Sequence, residues 1–375
     1  MIYFDNSATT LFKPECVKNA VYSTMSCLSA NPGRASHSMA IKTASLIYYA
    51  RKAIADEINL NNPDRIIFTA SCTDALNMAI LGSMKKGHVI TTAYEHNSVL
   101  RPLFSKAKEY NTEISVIEPS FNGIDVKDIE RILKRDTYMI IVNHVSNVTG
   151  QIAPLYEIGK LCKKHGILFI VDGAQSVGYH KIDVMENNID MLAIAPHKGL
   201  HAVTGFGILA LSEKVKLKHI KFGGTGTSSA EITQPLTYPE GFEVGTLPTV
   251  AISSLIPAIK WCEKNRLQND KRIFDVSEII INGLLTMPNV TLYTPRTLRN
   301  GIISFNVEGL SSSEACDILS SQYDICTRCG LHCAPLIHKY LGTISGGCIR
   351  VSVGCDNTYG EAEYLLDALR EISRQ

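Results

Sequence analysis

The sequence predicts an α/β protein with a large domain built on a mostly parallel sheet and a smaller α+β domain. Two observations carry this. From about residue 36 to 250, short apolar runs alternate with amphipathic stretches, and several runs are apolar on both faces, as strands covered by helices on both sides must be. After an irregular stretch at 222–250, long helical periods are followed by strands in succession, the pattern of an α+β unit. The expected division is a large domain at 15–250 and a small domain assembled from 1–14 and 251–375.

The strands of the large domain are read at "RIIFTA" (65–70), "HVITT" (88–92), "EISVIE" (113–118), "YMIIVNHV" (138–145), "ILFIVDGA" (167–174), "MLAIA" (191–195) and "FGILALS" (206–212). Helices are expected between them at 73–85, 97–110, 126–135 and 155–165, the last two stopped by Asp136 and Gly166. Residues 222–250 are rich in Gly, Thr and Pro without a sustained period, which marks a linker or a functional loop. Helices at 251–266 and 270–286 follow, then strands near 290–293, 301–307 and 348–353, and a closing helix over 358–373.

Composition narrows the function. A 45% hydrophobic and 19% charged chain of 375 residues can bury a sizeable core. With 37 basic against 36 acidic residues there is no electrostatic case for nucleic acid or an anionic membrane. No apolar run approaches bilayer length, and "MIYFDNSATT" has no signal-like core, so a cytoplasmic address is expected. Reduced thiols follow from that address, with Cys16, Cys27, Cys162, Cys262 and Cys316 expected as small buried hydrophobes. The sequon at Asn147–Thr149 reads as coincidence without a secretory route.

In an open α/β sheet, functional groups gather at the carboxyl ends of strands. One such end carries Asp172 and Gln175, the next His197 and Lys198, and another Asn147. A lone strand-end Lys is usually a surface charge. An Asp and a Lys at adjacent ends suit pyridoxal 5'-phosphate, which needs an amine for its aldehyde and a carboxylate for its pyridine nitrogen. Ser71, Cys72 and Thr73 run from a strand into a helix, where exposed N–H groups favour a phosphate, although a plain cap would look the same. His96 follows another strand, as a satisfied polar residue or as a ring stacked on the cofactor.

These residues fall within motifs that resemble the cysteine desulfurases of the class V aminotransferase superfamily. The motifs are "YFDNSATT" (3–10), "NPGRASH" (31–37), "FTASCTDALN" (68–77), "EHNSVLRP" (95–102), "HVSNVTG" (144–150), "VDGAQSVG" (171–178), "PHKG" (196–199), "FEVGTLPT" (242–249), "RCGLHCAP" (328–335) and "IRVSVG" (349–354). They cover the chain in family order. The resemblance implies the type I pyridoxal-phosphate fold, with Lys198 bonding the cofactor and later moving the Cα proton. It places Asp172 on the pyridine nitrogen, Gln175 on the ring oxygen, His96 over the ring, and Cys72, Thr73 and His197 on the phosphate. Thr246 would reach the phosphate of the other subunit in a homodimer. Asn147, Arg328 and Arg350 would orient the substrate.

Cys333 would be the nucleophile that takes sulfur from L-cysteine as a persulfide, within a short motif resembling that of the SUF-type branch, and would pass it to an acceptor protein. Arg328 and His332 would favour its thiolate. Three departures stand out: Ala195 where the family commonly has Ser, Leu331-His332 where the SUF-type branch usually has two His, and additional cysteines at 326 and 329.

The stretch "CTRCGLHCAP" (326–335) also has the spacing of a zinc site, with His332, His338 or Cys348 as a fourth ligand to Cys326, Cys329 and Cys333. The family position of the loop favours a nucleophile at Cys333 and no metal, because zinc would immobilise the thiolate. Two other functions stay open: a selenocysteine lyase, and an inactive partner protein that binds the cofactor or zinc.

Overall fold

The computed structural model describes residues 1–33, 37–120, 123–298 and 300–373. Positions 34–36, inside the "NPGRASH" motif, lie outside them. Seven strands form the main sheet: β2 (Ile66–Thr69), β3 (Gly87–Thr92), β4 (Thr112–Ile117), β5 (Thr137–Asn143), β6 (Leu168–Asp172), β7 (Met191–Ile194) and β8 (Gly207–Leu211), preceded in the chain by β1 (Ile2–Tyr3). Their order is β2-β8-β7-β6-β5-β3-β4, parallel except at β8, which runs against both neighbours. All seven expected strands are present, and the mostly parallel sheet is as expected.

Successive side chains leave a strand on opposite faces, so one strand feeds two cores. Phe68, Ile140 and Val142 pack on one face with Ile54 of α2 (Ser38–Glu57), which follows α1 (Glu15–Cys27). Ile67, Met139 and Ile141 pack on the other with Leu76 of α3 (Cys72–Ser83) and Val99 of α4 (Asn97–Tyr110). Helices α5 (Val126–Ile132) and α6 (Leu155–His165) complete the crossovers, α6 ending on left-handed Gly166 as expected. Helix α5 stops at Ile132, four residues before the expected Asp136, because Leu133 already turns to ψ 134°.

After α7 (Thr249–Ile252), the two helices expected at 251–266 and 270–286 are one, α8 (Leu255–Leu285). Residues 267–269 contain no Gly or Pro to break it, and Pro257 lies in its first turn, where no N–H is needed. A second sheet, antiparallel and ordered β12-β10-β9, joins β9 (Val290–Leu292), β10 (Ile302–Val307) and β12 (Ile349–Ser352). Helix α9 (Ser312–Tyr323) escaped the periodicity reading although Ser311 and Glu314 form a capping box. Strand β1 pairs in parallel with β11 (Ile325–Cys326), and Phe4 packs with Leu319 of α9 and Leu365 of the closing helix. That helix, α11 (Tyr359–Ile372), follows α10 (Pro335–Tyr340).

Residues 222–248 hold no strand or α-helix, and one buried ion pair fixes them. Arg51 forks onto Glu243 at 2.7 and 2.5 Å, and the Phe68 N–H donates to the same carboxylate at 2.6 Å. Removing one partner of a buried pair strands the other charge. Glu243→Gln is expected to lower stability by about 3–5 kcal/mol, read as a lower urea midpoint. Replacing Arg51 and Glu243 together with Met and Leu should recover part of that loss.

Candidate active site

Parallel strands point their carboxyl ends to one edge of the sheet, and β2 joins them because two antiparallel pairings restore its direction. The strand order reverses between β3 and β5, the switch point where α/β sheets open a crevice. His96 follows β3 there, Asn143 ends β5, and Asn147 follows it. A cavity of about 220 Å³ lies at this edge, lined by Cys72, Thr73, His96, Asn147, Asp172, Gln175, His197 and Lys198. Eight of the expected site residues therefore converge.

Each is held in place. Ser71 caps α3 by accepting from the Asp74 N–H, leaving Cys72 and Thr73 in its first turn. The close approach of this turn to β8 depends on Gly207, where a Cβ would lie 2.2 Å from the Ser71 carbonyl carbon. The Ser98 hydroxyl bridges Thr73 Oγ1 at 2.7 Å and His96 Nδ1 at 2.8 Å, joining the starts of α3 and α4. Asp172 Oδ1 accepts the Ala174 N–H at 3.0 Å and faces the Cys72 thiol. Gln175 donates to the Ser7 carbonyl at 3.0 Å. Thr10 and Lys13 both donate to the His197 carbonyl at 3.0 Å, so the "SATT" segment wraps the turn that carries Lys198.

Burial sets the protonation states. It lowers the Lys198 pKa, against the pull of the neighbouring Asp172 carboxylate. It pushes the Cys72 thiol well up, and holds His197 near 4. Glu95, which sequence reasoning missed, is fully buried with its pKa raised to about 8, again by burial. One of its oxygens accepts from the Thr92 hydroxyl and the Asn143 N–H. Asp172 and Lys198 line the same cavity.

Cys333 is exposed on a loop docked against the same edge. Its carbonyl accepts the Asn97 N–H at 2.6 Å, beside His96, and the His332 carbonyl accepts Asn147 Nδ2 at 2.7 Å. His332 and Cys333 both have left-handed backbones, φ 47° and 58°, which cost non-glycine residues on the order of 1 kcal/mol or more each. Arg350 is buried, donating to the Asn147 carbonyl at 3.0 Å. The buried oxygen Asn147 Oδ1 has no partner among the described residues, which suits a bound donor.

Thr246 lies away from this cavity and lines a separate one of about 570 Å³ with Arg51 and Glu243. Two expectations change. His332 supplies no positive charge to Cys333: burial, then Arg350, pushes its pKa down to about 2, and its Nε2 faces the Cys348 carbonyl at 3.0 Å. Arg328 spends its guanidinium on Asp5, with contacts of 2.7–3.0 Å. Among the expected buried thiols, Cys16 and Cys27 are exposed on α1, because that helix buries little beyond Val17 and Thr24. Asn147 is buried, which closes its sequon to glycosylation in the folded chain. Among the described residues, no group of three or more His, Cys, Asp or Glu side chains could hold a metal, and no helix is long and apolar enough to cross a membrane.

The aminotransferase class-V family model matches residues 2–365. The chain belongs to that family. It is similar to a probable cysteine desulfurase of Pyrococcus abyssi, 33% identical over 99% of this chain and 94% of that one. The cysteine desulfurase IscS of Vibrio campbellii is 30% identical over 98% of this chain and 92% of its own length. A solved apo structure of the cysteine desulfurase of Thermococcus onnurineus NA1 superposes with a TM-score of 0.91 at 31% identity, covering 100% of this chain and 94% of that one. The fold is thus the one the motifs implied, the type I fold.

The buried histidines make stability pH-dependent. Burial pushes His144 to about 3, His201 to about 4 and His332 to about 2. Below the unfolded value of about 6.5 the unfolded chain binds more protons, so stability rises with pH through this window and is lost as pH falls. Each group removes up to about 1.4 kcal/mol per pH unit below that value. Urea midpoints should drop from pH 7 to 5, and His332→Gln should reduce the proton uptake on unfolding by close to one.

Proposed function

We propose that this protein is a pyridoxal-phosphate-dependent cysteine desulfurase that converts L-cysteine to L-alanine and takes the sulfur onto Cys333. The observation that carries the reading is the docking of the Cys333 loop on the edge where Lys198, Asp172 and the start of α3 line one cavity. The names of the similar proteins support it.

The lining fits the cofactor. The N-terminus of α3, with Thr73 and His197, would hold its phosphate, Asp172 its pyridine nitrogen, Gln175 its ring oxygen, and His96 one ring face. Bound there, the cofactor supplies an electron sink for the pair released when the Cα–H bond breaks. The amine of Lys198, held below its ordinary pKa by burial, would hold the cofactor by its aldehyde and serve as the base for the Cα proton. Arg350 and Asn147 hold the substrate by its carboxylate. The Cys333 thiolate attacks the substrate sulfur: an S–S bond forms, the Cβ–S bond breaks with its electron pair left on carbon, and Cβ takes up a proton. The balance is one cysteine and one thiol in, one alanine and one persulfide out.

We assign Thr246 to the phosphate of a second copy, because it lies too far from the cavity of its own chain to line it. The active form would be a homodimer, and the exposed position of Cys333 lets an acceptor protein collect the persulfide.

Lys198→Ala is expected to abolish turnover and the yellow colour of the purified protein, and Asp172→Asn to lose most activity while still binding cofactor. Wild type that stays colourless with added pyridoxal phosphate would overturn the reading. Cys333→Ala should form almost no alanine from cysteine and gain no sulfur by intact mass, where wild type gains one. It should keep a measurable share of selenocysteine cleavage, because the weaker C–Se bond breaks without a capturing thiolate. Full cysteine turnover by this variant would move the nucleophile elsewhere.

A further inference from the structure

Asp5 stands between two arginines of different exposure. It is 8% exposed, and Arg350 is 2% exposed, whereas the Arg328 side chain is about half exposed. Asp5 Oδ1 accepts from Arg328 Nε and Arg350 Nη2, both at 3.0 Å. Its Oδ2 accepts from Arg328 Nε at 3.0 Å and Nη2 at 2.7 Å. The backbones are tied as well, each arginine's N–H donating to the other's carbonyl, at 3.1 and 2.7 Å.

Two guanidinium cations share one carboxylate, so the cluster keeps one net positive charge. A buried cation seeks a counter-charge, and Arg350 Nε is buried without an acceptor among the described residues. Arg350 also bonds the carbonyl of Asn147, a cavity-lining residue, and its charge is felt by Lys198 and His96. The deficit is one negative charge with hydrogen-bond acceptors, next to a residue that lines the cavity. An amino acid's α-carboxylate has that chemistry.

We infer that Asp5 and Arg328 are positioning residues for the substrate carboxylate: Arg328 grips Asp5 so that Asp5 orients Arg350 without neutralising it. The inference rests on the proposed function and takes Arg328 out of contact with substrate. Arg328 presents a fork to Asp5 and thereby shares its charge. Without Arg328, Asp5 pairs with Arg350 alone, the cluster becomes neutral, and an arriving carboxylate has to displace Asp5.

The test titrates the cofactor-loaded protein with L-alanine and with L-alaninamide, which keeps the amine and lacks the carboxylate charge, following the cofactor's absorbance. Arg328→Gln is expected to weaken alanine about tenfold and to leave alaninamide within about twofold. In an Asp5→Asn background, Arg328→Gln should change alanine binding by less than about twofold, because Arg328 acts only through Asp5. A loss that persists in that background means Arg328 touches the ligand, and overturns the inference. So does an equal loss for both ligands, or no loss at all. Should Arg328→Gln not fold, Arg328→Lys keeps the charge without the fork, and a smaller alanine-selective loss is expected; its absence counts against the inference equally. Wild type that takes up cofactor but does not prefer alanine overturns the inference alone. Wild type that takes up no cofactor overturns the proposed function and the inference with it.

Discussion

The parallel register of β5, β6 and β7 is the constraint on which this site depends. Asn143 pairs with Asp172, and Asp172 with Ala193, so three strands deliver side chains to one edge in a single row. Lys198 follows that row by a short turn. A shift of one residue would send Asp172 to the other face of the sheet, since side chains alternate with period two. The apolar packing on both faces of the sheet therefore specifies the position of a charged group that contributes nothing to that packing.

Around this row, burial decides which groups carry charge. Glu95, His144, His197 and His332 are all pushed toward their neutral forms by desolvation. The charges that persist are paired or shared: Asp172 faces Lys198 and Cys72, and Asp5 lies between Arg328 and Arg350. The centre is thus a few charges in a desolvated setting, where each interaction is stronger than it would be in water.

The Cys333 loop is joined to this centre by main-chain groups. Asn97 and Asn147 donate to consecutive carbonyls, and the two residues bearing those carbonyls adopt left-handed backbones. The bonds hold a strained turn against the switch point while the Cys333 side chain stays exposed. Arg328, five residues before Cys333, ties this loop to the Asp5 cluster.

Much of this was legible in the sequence, for local reasons. All seven strands of the main sheet could be read from apolar runs, and Gly166 ended α6 as its left-handed preference requires. Asp172 and Lys198 announced themselves as strand-end groups, because strand ends are marked by where apolar runs stop. What tertiary structure decided concerns distant partners. Asp5 and Arg328 are 323 residues apart in sequence, and no local period links them. The neutrality of His332 comes from its burial, and the separation of Thr246 from the cavity from the path of 222–250, pinned by Arg51. Composition and periodicity report what each segment prefers by itself; charge state and pairing belong to the assembled surroundings, which exist only once the chain has folded.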